Sequence, residues 1–113
     1  MNGINSLTTA GLLSDIQGLV SDANRIVQRG RESFFDRDDR TQRMAGRAIV
    51  IDVQTAASGL PQKFRDDHPE VAWGQLRPTR DFLALNYGAT DYSVIWDALI
   101  RDLPRMIRQF GMD

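Results

Sequence analysis

The stretch from Thr41 to Leu60 constrains the fold more than any other. It runs about 20 residues without a turn signal, and Met44, Ala45, Ala48, Ile49, Val50, Ile51, Val53, Ala56, Ala57 and Leu60 spread around most of a helical circumference. The β-branched residues at 49, 50, 51 and 53 also suit a strand, but the uninterrupted length decides for a helix. A helix apolar on most sides is buried at the centre of its domain, so the other elements must pack around it. Asp52 and Gln54 are its polar exceptions, a narrow wet stripe.

Leu12, Ile16, Leu19, Val20, Ala23, Ile26 and Val27 keep helical spacing, with Asp15, Asp22 and Arg25 left for solvent and Gly30 as a stop. Phe34 and Phe35 sit in a charged setting that suits a short turn tucking an aromatic ring under a loop, and Asp38 or Asp39 can cap the central helix. Ser58-Gly59-Leu60-Pro61 breaks the chain; Gln62–Asp67 offers one or two helical turns, which His68 ends because Pro69 follows it. Trp73 to Tyr87 reads as a helix in spite of Pro78, with Gly88 as its stop. Asp91 caps a last helix whose apolar face runs from Tyr92 to Phe110 and which Pro104 should kink. The sum is an all-α bundle of four to five helices: one domain over residues 12–113, preceded by a flexible extension over residues 1–11.

The 113 residues contain no cysteine and one histidine, His68, which excludes disulfides, thiolate chemistry and cysteine-based zinc sites and points to no metal or cofactor. The start of the chain lacks the pattern of a signal peptide, and no apolar run approaches the roughly 18 residues of a membrane span, so a cytoplasmic location is expected. A net charge of −1 neither favours nor excludes nucleic acid. The charges are nearly all Arg and Asp, a composition bias, although the planar guanidinium suits phosphate better than an ammonium does.

One stretch, Arg80-Asp81-Phe82-Leu83-Ala84-Leu85-Asn86-Tyr87, carries a candidate site. Arg80 and Tyr87 are two helical turns apart and project from one face, whereas position 85 lies about 140° round from Arg80 at roughly 100° per residue. A straight helix in one chain does not aim positions 80 and 85 at the same atom. Either the helix distorts near its end, or two copies meet about a twofold axis and each supplies part of the site. The plainer reading makes Phe82, Leu83 and Leu85 core or interface residues, pairs Arg80 with Asp81 and leaves Tyr87 at an amphipathic edge. Arg40, Arg43 and Arg47 form one arginine row, Arg101, Arg105 and Arg108 another. Either row suits RNA phosphates or an ordinary solvated face, and Arg77 joins the first as a candidate RNA contact.

With Asp39-Arg40-Thr41-Gln42, Phe64 through Trp73, Arg80 through Tyr87 and Asp91-Tyr92 through Pro104 in this order and spacing, the chain resembles the HepT-like toxins of the HEPN superfamily. The likeness runs over roughly residues 12–110. Those proteins are small helical ribonucleases whose signature is an arginine, four residues, a histidine, one residue and a tyrosine. The resemblance gives Arg80 the arginine place, Asp81 the adjacent polar place and Tyr87 the tyrosine place, with Leu85 where the histidine stands. It implies a homodimer joined through the motif-bearing helices, an RNA substrate such as tRNA or mRNA cut without a metal, and an MntA-type nucleotidyltransferase antitoxin that attaches AMP to Tyr87. The family's commoner Gly-Glu near the middle of the second helix is Gln54-Thr55 here, so no supporting carboxylate role passes to Asp52.

Leucine neither accepts a proton nor orients a water, and cutting RNA through its own 2′-hydroxyl needs a group that does, so the chain as written is expected to be inactive. Leu85 is either a deliberate replacement in a toxin or the residue of a degenerate natural member. The alternative functions are a non-catalytic module that binds RNA or protein, and a purely structural helical subunit.

Overall fold

The computed structural model describes residues 8–112. Helix α1, Thr9–Arg29, opens on Thr8, whose side-chain oxygen accepts the Gly11 N–H at 2.8 Å. Thr9–Gly11 therefore belong to the helix and not to an extension; residues 1–7 lie outside the described residues. Ile16, Val20, Ala23 and Ile26 form its buried stripe, and Gly30, at φ +94°, ends it in a conformation that favours glycine.

The short helix α2, Arg31–Phe34, exists to turn the chain and to bury one ring. Phe34 is fully buried, with the rings of Phe35, Tyr92 and Trp96 around it at centroid distances of 5.0, 6.5 and 5.1 Å. Helix α3, Thr41–Ser58, is the central element, packed against α1, α5 and the last helical run. The Asp39 carboxylate accepts the Thr41 N–H at 2.9 Å at its start. Gly46 makes room for two core side chains: a Cβ there would stand 3.0 Å from both Leu99 Cδ1 and Phe34 Cε1.

Helix α4, Gln62–Asp67, ends at His68. The ring of His68 stacks on Phe64 at 4.1 Å with Nδ1 2.8 Å from the Phe64 carbonyl, while Trp73 donates its indole N–H to the His68 carbonyl at 2.9 Å and stacks on Phe110. These rings tie the middle of the chain to its C-terminal end.

A 3₁₀ turn, Trp73–Gln75, leads into α5, Leu76–Leu85. Pro78 is the third residue of α5, where its missing N–H costs no helical bond. The helix stops two residues short of the sequence expectation. Asn86 leaves the helical region at φ −111°, ψ 48°, and Tyr87–Ala89 form a separate 3₁₀ turn, so Gly88 lies inside that turn and is not the stop.

Asp91 caps α6, Tyr92–Asp97, by accepting the Ser93 N–H at 2.9 Å. The chain runs on through a π-helical turn, Ala98–Asp102, into α7, Leu103–Gln109. A kink was the expectation at Pro104; the structure places the widened turn directly before it, with the Leu103 N–H donating to the Ala98 carbonyl. Pro104 cannot bond the carbonyl four residues back, and the wider turn carries that carbonyl clear of the ring. The run ends in a Schellman motif on Gly111, at φ +74°, with Met112 N–H on the Ile107 carbonyl at 2.9 Å and Gly111 N–H on the Arg108 carbonyl at 3.0 Å.

The architecture is thus an all-α bundle, and the described residues include no strand. No described helix is long and apolar enough to cross a membrane.

Candidate functional site

Helix α5 buries Leu76 and Leu83 against α3 and turns Arg77, Asp81, Phe82 and Leu85 outward. Arg80 lies between the two faces, its side chain 24 % exposed and paired with Asp81, which is 52 % exposed. Leu85 is 82 % exposed. Of the three leucines and phenylalanines that sequence alone assigned to core or interface, only Leu83 is in the core of this chain; Phe82, at 57 % exposure, joins Leu85 on the surface.

The helical geometry keeps Arg80 and Leu85 pointing apart, and the early stop of α5 removes Tyr87 from their helix. The Tyr87 backbone opens the following 3₁₀ turn; its side chain lies outside the described residues. On the exposed side of α5, Leu85 has Phe82 and the exposed Asp81 one turn before it.

The first arginine row is divided in its work. Arg43 Nη1 donates to the carbonyls of Phe34 and Asp36, at 3.0 and 2.7 Å, and so holds the α2 turn against α3. Arg47 Nη2 donates to the Leu83 carbonyl, reaching across from α3 to α5. Arg40 and Arg77 are exposed on the surface. In the second row, Arg101 is held beside Asp97 and Asp102, at 4.0 and 3.2 Å, and Arg105 and Arg108 are exposed.

Two concavities flank α3. One, of about 360 Å³, lies between α5 and the last helical run, floored by Val50 and Gln54 with Phe82 and Val94 at its edge. Gln54 Oε1 is buried there without a hydrogen-bond partner. The other, of about 850 Å³, is a shallow groove between α1 and α3 that includes Asp15, Asp22 and Asp52. Asp52 thus faces away from the Arg80 helix. Sequence reading did not find the first concavity; the signal available was the apolar surplus at Phe82 and Val94, positions beyond what the core stripe needs.

The middle of α5 presents a guanidinium, a group that can hold a phosphodiester, paired with the carboxylate next to it, and position 85 carries no proton-transfer group. The family described as ribonuclease HepT-like matches residues 16–111. The chain belongs to that HepT-like ribonuclease family.

Among its relatives, a "Putative RNase" of Caldanaerobacter subterraneus subsp. tengcongensis is 24 % identical over 97 residues, 83 % of this chain and 86 % of the relative. A "Putative RNase" of Methanocaldococcus jannaschii is 31 % identical over 66 % of this chain and 61 % of its own length. A "Probable ribonuclease HepT" of Thermococcus cleftensis is 32 % identical over 65 % of this chain and 66 % of its own length. The match therefore spans slightly under two thirds of the last two relatives. No solved structure matches the chain.

Proposed function

We propose that this chain is the toxin half of a toxin–antitoxin pair: a cytoplasmic homodimer built to cut RNA, disabled at position 85, and controlled by an MntA-type nucleotidyltransferase that attaches AMP to Tyr87. The observation that carries the reading is the position of Leu85. It ends α5 with 82 % of its surface exposed, five residues after Arg80 and inside the region matched to the ribonuclease family. A leucine there adds nothing to the core, while a histidine at the same place would face solvent and substrate.

In the reaction such a site serves, a base removes the proton from the RNA 2′-hydroxyl, the 2′-oxygen attacks phosphorus, and the 5′-oxygen leaves with a proton returned to it. Arg80 holds the phosphate and stabilises the charge that builds on it, displacing the Asp81 carboxylate that pairs with it in the free chain. Two copies related by a twofold axis bring position 85 of one near Arg80 of the other, which a single helix does not do. An AMP group on Tyr87 would place a phosphate in competition for Arg80 and keep RNA out.

The test is Leu85→His. Metal-independent cleavage of RNA, lost again on Arg80→Ala, is the expected result, and no cleavage of tRNA or mRNA by the histidine form would sink the catalytic reading. The exposed apolar pair Phe82 and Leu85 supports a second reading, a non-catalytic module that binds RNA or protein. It predicts RNA binding that depends on Arg80 and no cleavage after Leu85→His.

A further inference from the structure

From the contact between α3 and the end of α5 we infer that Arg47 is a positioning residue for the candidate site: it stops α5 at Leu85 and thereby sets where the backbone carries positions 85 and 87. The consequence for cleavage rests on the ribonuclease reading above; the conformational claim does not.

In an uninterrupted α-helix the Leu83 carbonyl would accept the N–H of Tyr87. Here that carbonyl accepts the guanidinium of Arg47, which reaches it from α3, and the chain leaves the helical region at Asn86. The preceding carbonyl, that of Phe82, closes the helix in the usual way: it accepts the Asn86 N–H and also the Asn86 side-chain amide, both at 2.9 Å. The break thus falls where the α3 arginine takes over an acceptor. Asn86 then turns the chain, its own carbonyl accepting from Ala89 N–H at 3.0 Å and from the Thr90 hydroxyl at 3.3 Å.

Were α5 to continue, Tyr87 would stand over Arg80 within about 20° on the same face, and Leu85 would be an interior helical residue. With the stop at Leu85, position 85 is the last helical residue and Tyr87 is carried off on a separate turn. Arg47 therefore decides whether Arg80 and Tyr87 share a helix face. A planar guanidinium that both fills the space between helices and points a donor at a carbonyl suits this task better than a flexible ammonium.

Three measurements test it. In the unaltered chain, nitrogen-15 spectra should show the Arg47 guanidinium held against rotation; a freely rotating group overturns the proposal and requires no variant. In Arg47→Met, and in Arg47→Gln if the first does not fold, the carbon shifts of Asn86 and Tyr87 should move to helical values, with about tenfold slower exchange of the Tyr87 amide. Folded variants whose Asn86 and Tyr87 shifts stay in place overturn it. In the Leu85→His background, Arg47→Met should lower the turnover rate at least tenfold with RNA affinity within twofold, and Arg47→Lys should restore part of it. Equal losses in Arg47→Met and Arg47→Lys overturn the positioning role. An inactive Leu85→His protein would remove the ribonuclease reading while the shift data still judged the helix stop.

Discussion

Arg80 Nη2 and Nε lie 2.8 and 3.0 Å from a single oxygen of Asp81, Oδ1, so the candidate phosphate ligand is already engaged by its neighbour. A phosphate must displace that carboxylate. An exposed pair of this kind contributes about 0.2–1 kcal/mol, which corresponds to up to about a fivefold effect on affinity. Asp81→Asn is expected to tighten single-stranded RNA binding by up to about fivefold at low salt, read by fluorescence anisotropy. Weaker binding in that variant would mean that Asp81 orients Arg80 and does not compete for it.

Leu85 contributes little to the fold, since most of its surface is already in water. Leu85→His should therefore change the free energy of unfolding by no more than about 0.5 kcal/mol, as exposed substitutions do. Urea unfolding of the two forms tests this. A loss of several kcal/mol would show that Leu85 is covered in the assembled protein, by a second copy above all.

Two helical glycines should respond in opposite directions. Gly18 on α1 has nothing within 4 Å of an added Cβ, and Gly18→Ala should stabilise by about 0.5–1 kcal/mol through helix propensity. A Cβ at Gly46 would stand 3.0 Å from the side chains of Leu99 and Phe34, both fully buried. Gly46→Ala should cost about 1–2 kcal/mol net of the same gain. Urea midpoints of both variants that shift the same way would contradict the packing described.

Asp39 gives the bundle a defined acid response. The Thr41 hydroxyl and N–H, and to a smaller extent the Arg43 charge, hold its carboxyl below the usual carboxylate range. A group depressed in the folded state contributes stability that is complete above its unfolded pKa, near 4, and is lost as pH falls through the folded value. Asp39→Asn keeps an oxygen that can accept the Thr41 N–H but removes the titration, so its urea midpoint should fall less than the parent's between about pH 4 and pH 2. Parallel curves would exclude the Asp39 contribution.

Much of this fold is written in spacing. The stripe of α1, the centrality of α3, the Gly30 stop and the Asp91 cap each depend on residues close in sequence, and local signals of that kind survive in the final structure. The end of α5 does not: nothing between Leu83 and Gly88 announces that an arginine 36 positions earlier takes the Leu83 carbonyl. For the same reason Arg43 and Arg47 read as one row for phosphate, when their partners are carbonyls brought near by folding. The arginine, the aspartate and position 85 stand out in the sequence as a candidate site only because a family pattern marks them. Their divergence on one helix was legible from geometry.

The π-helical turn at Ala98–Asp102 amounts to one surplus residue in an otherwise regular helix, taken up locally. Deleting a single residue from this turn would leave a regular α-helix, with Leu103 and Phe110, now 3 % and 6 % exposed, still on the core face and Phe110 still stacked on Trp73. The same deletion in the α-helical part just after it would rotate everything downstream by about 100°. The last helical run can therefore lose a position within this turn at far smaller cost than a position beside it, a slack of counting and not of chemistry.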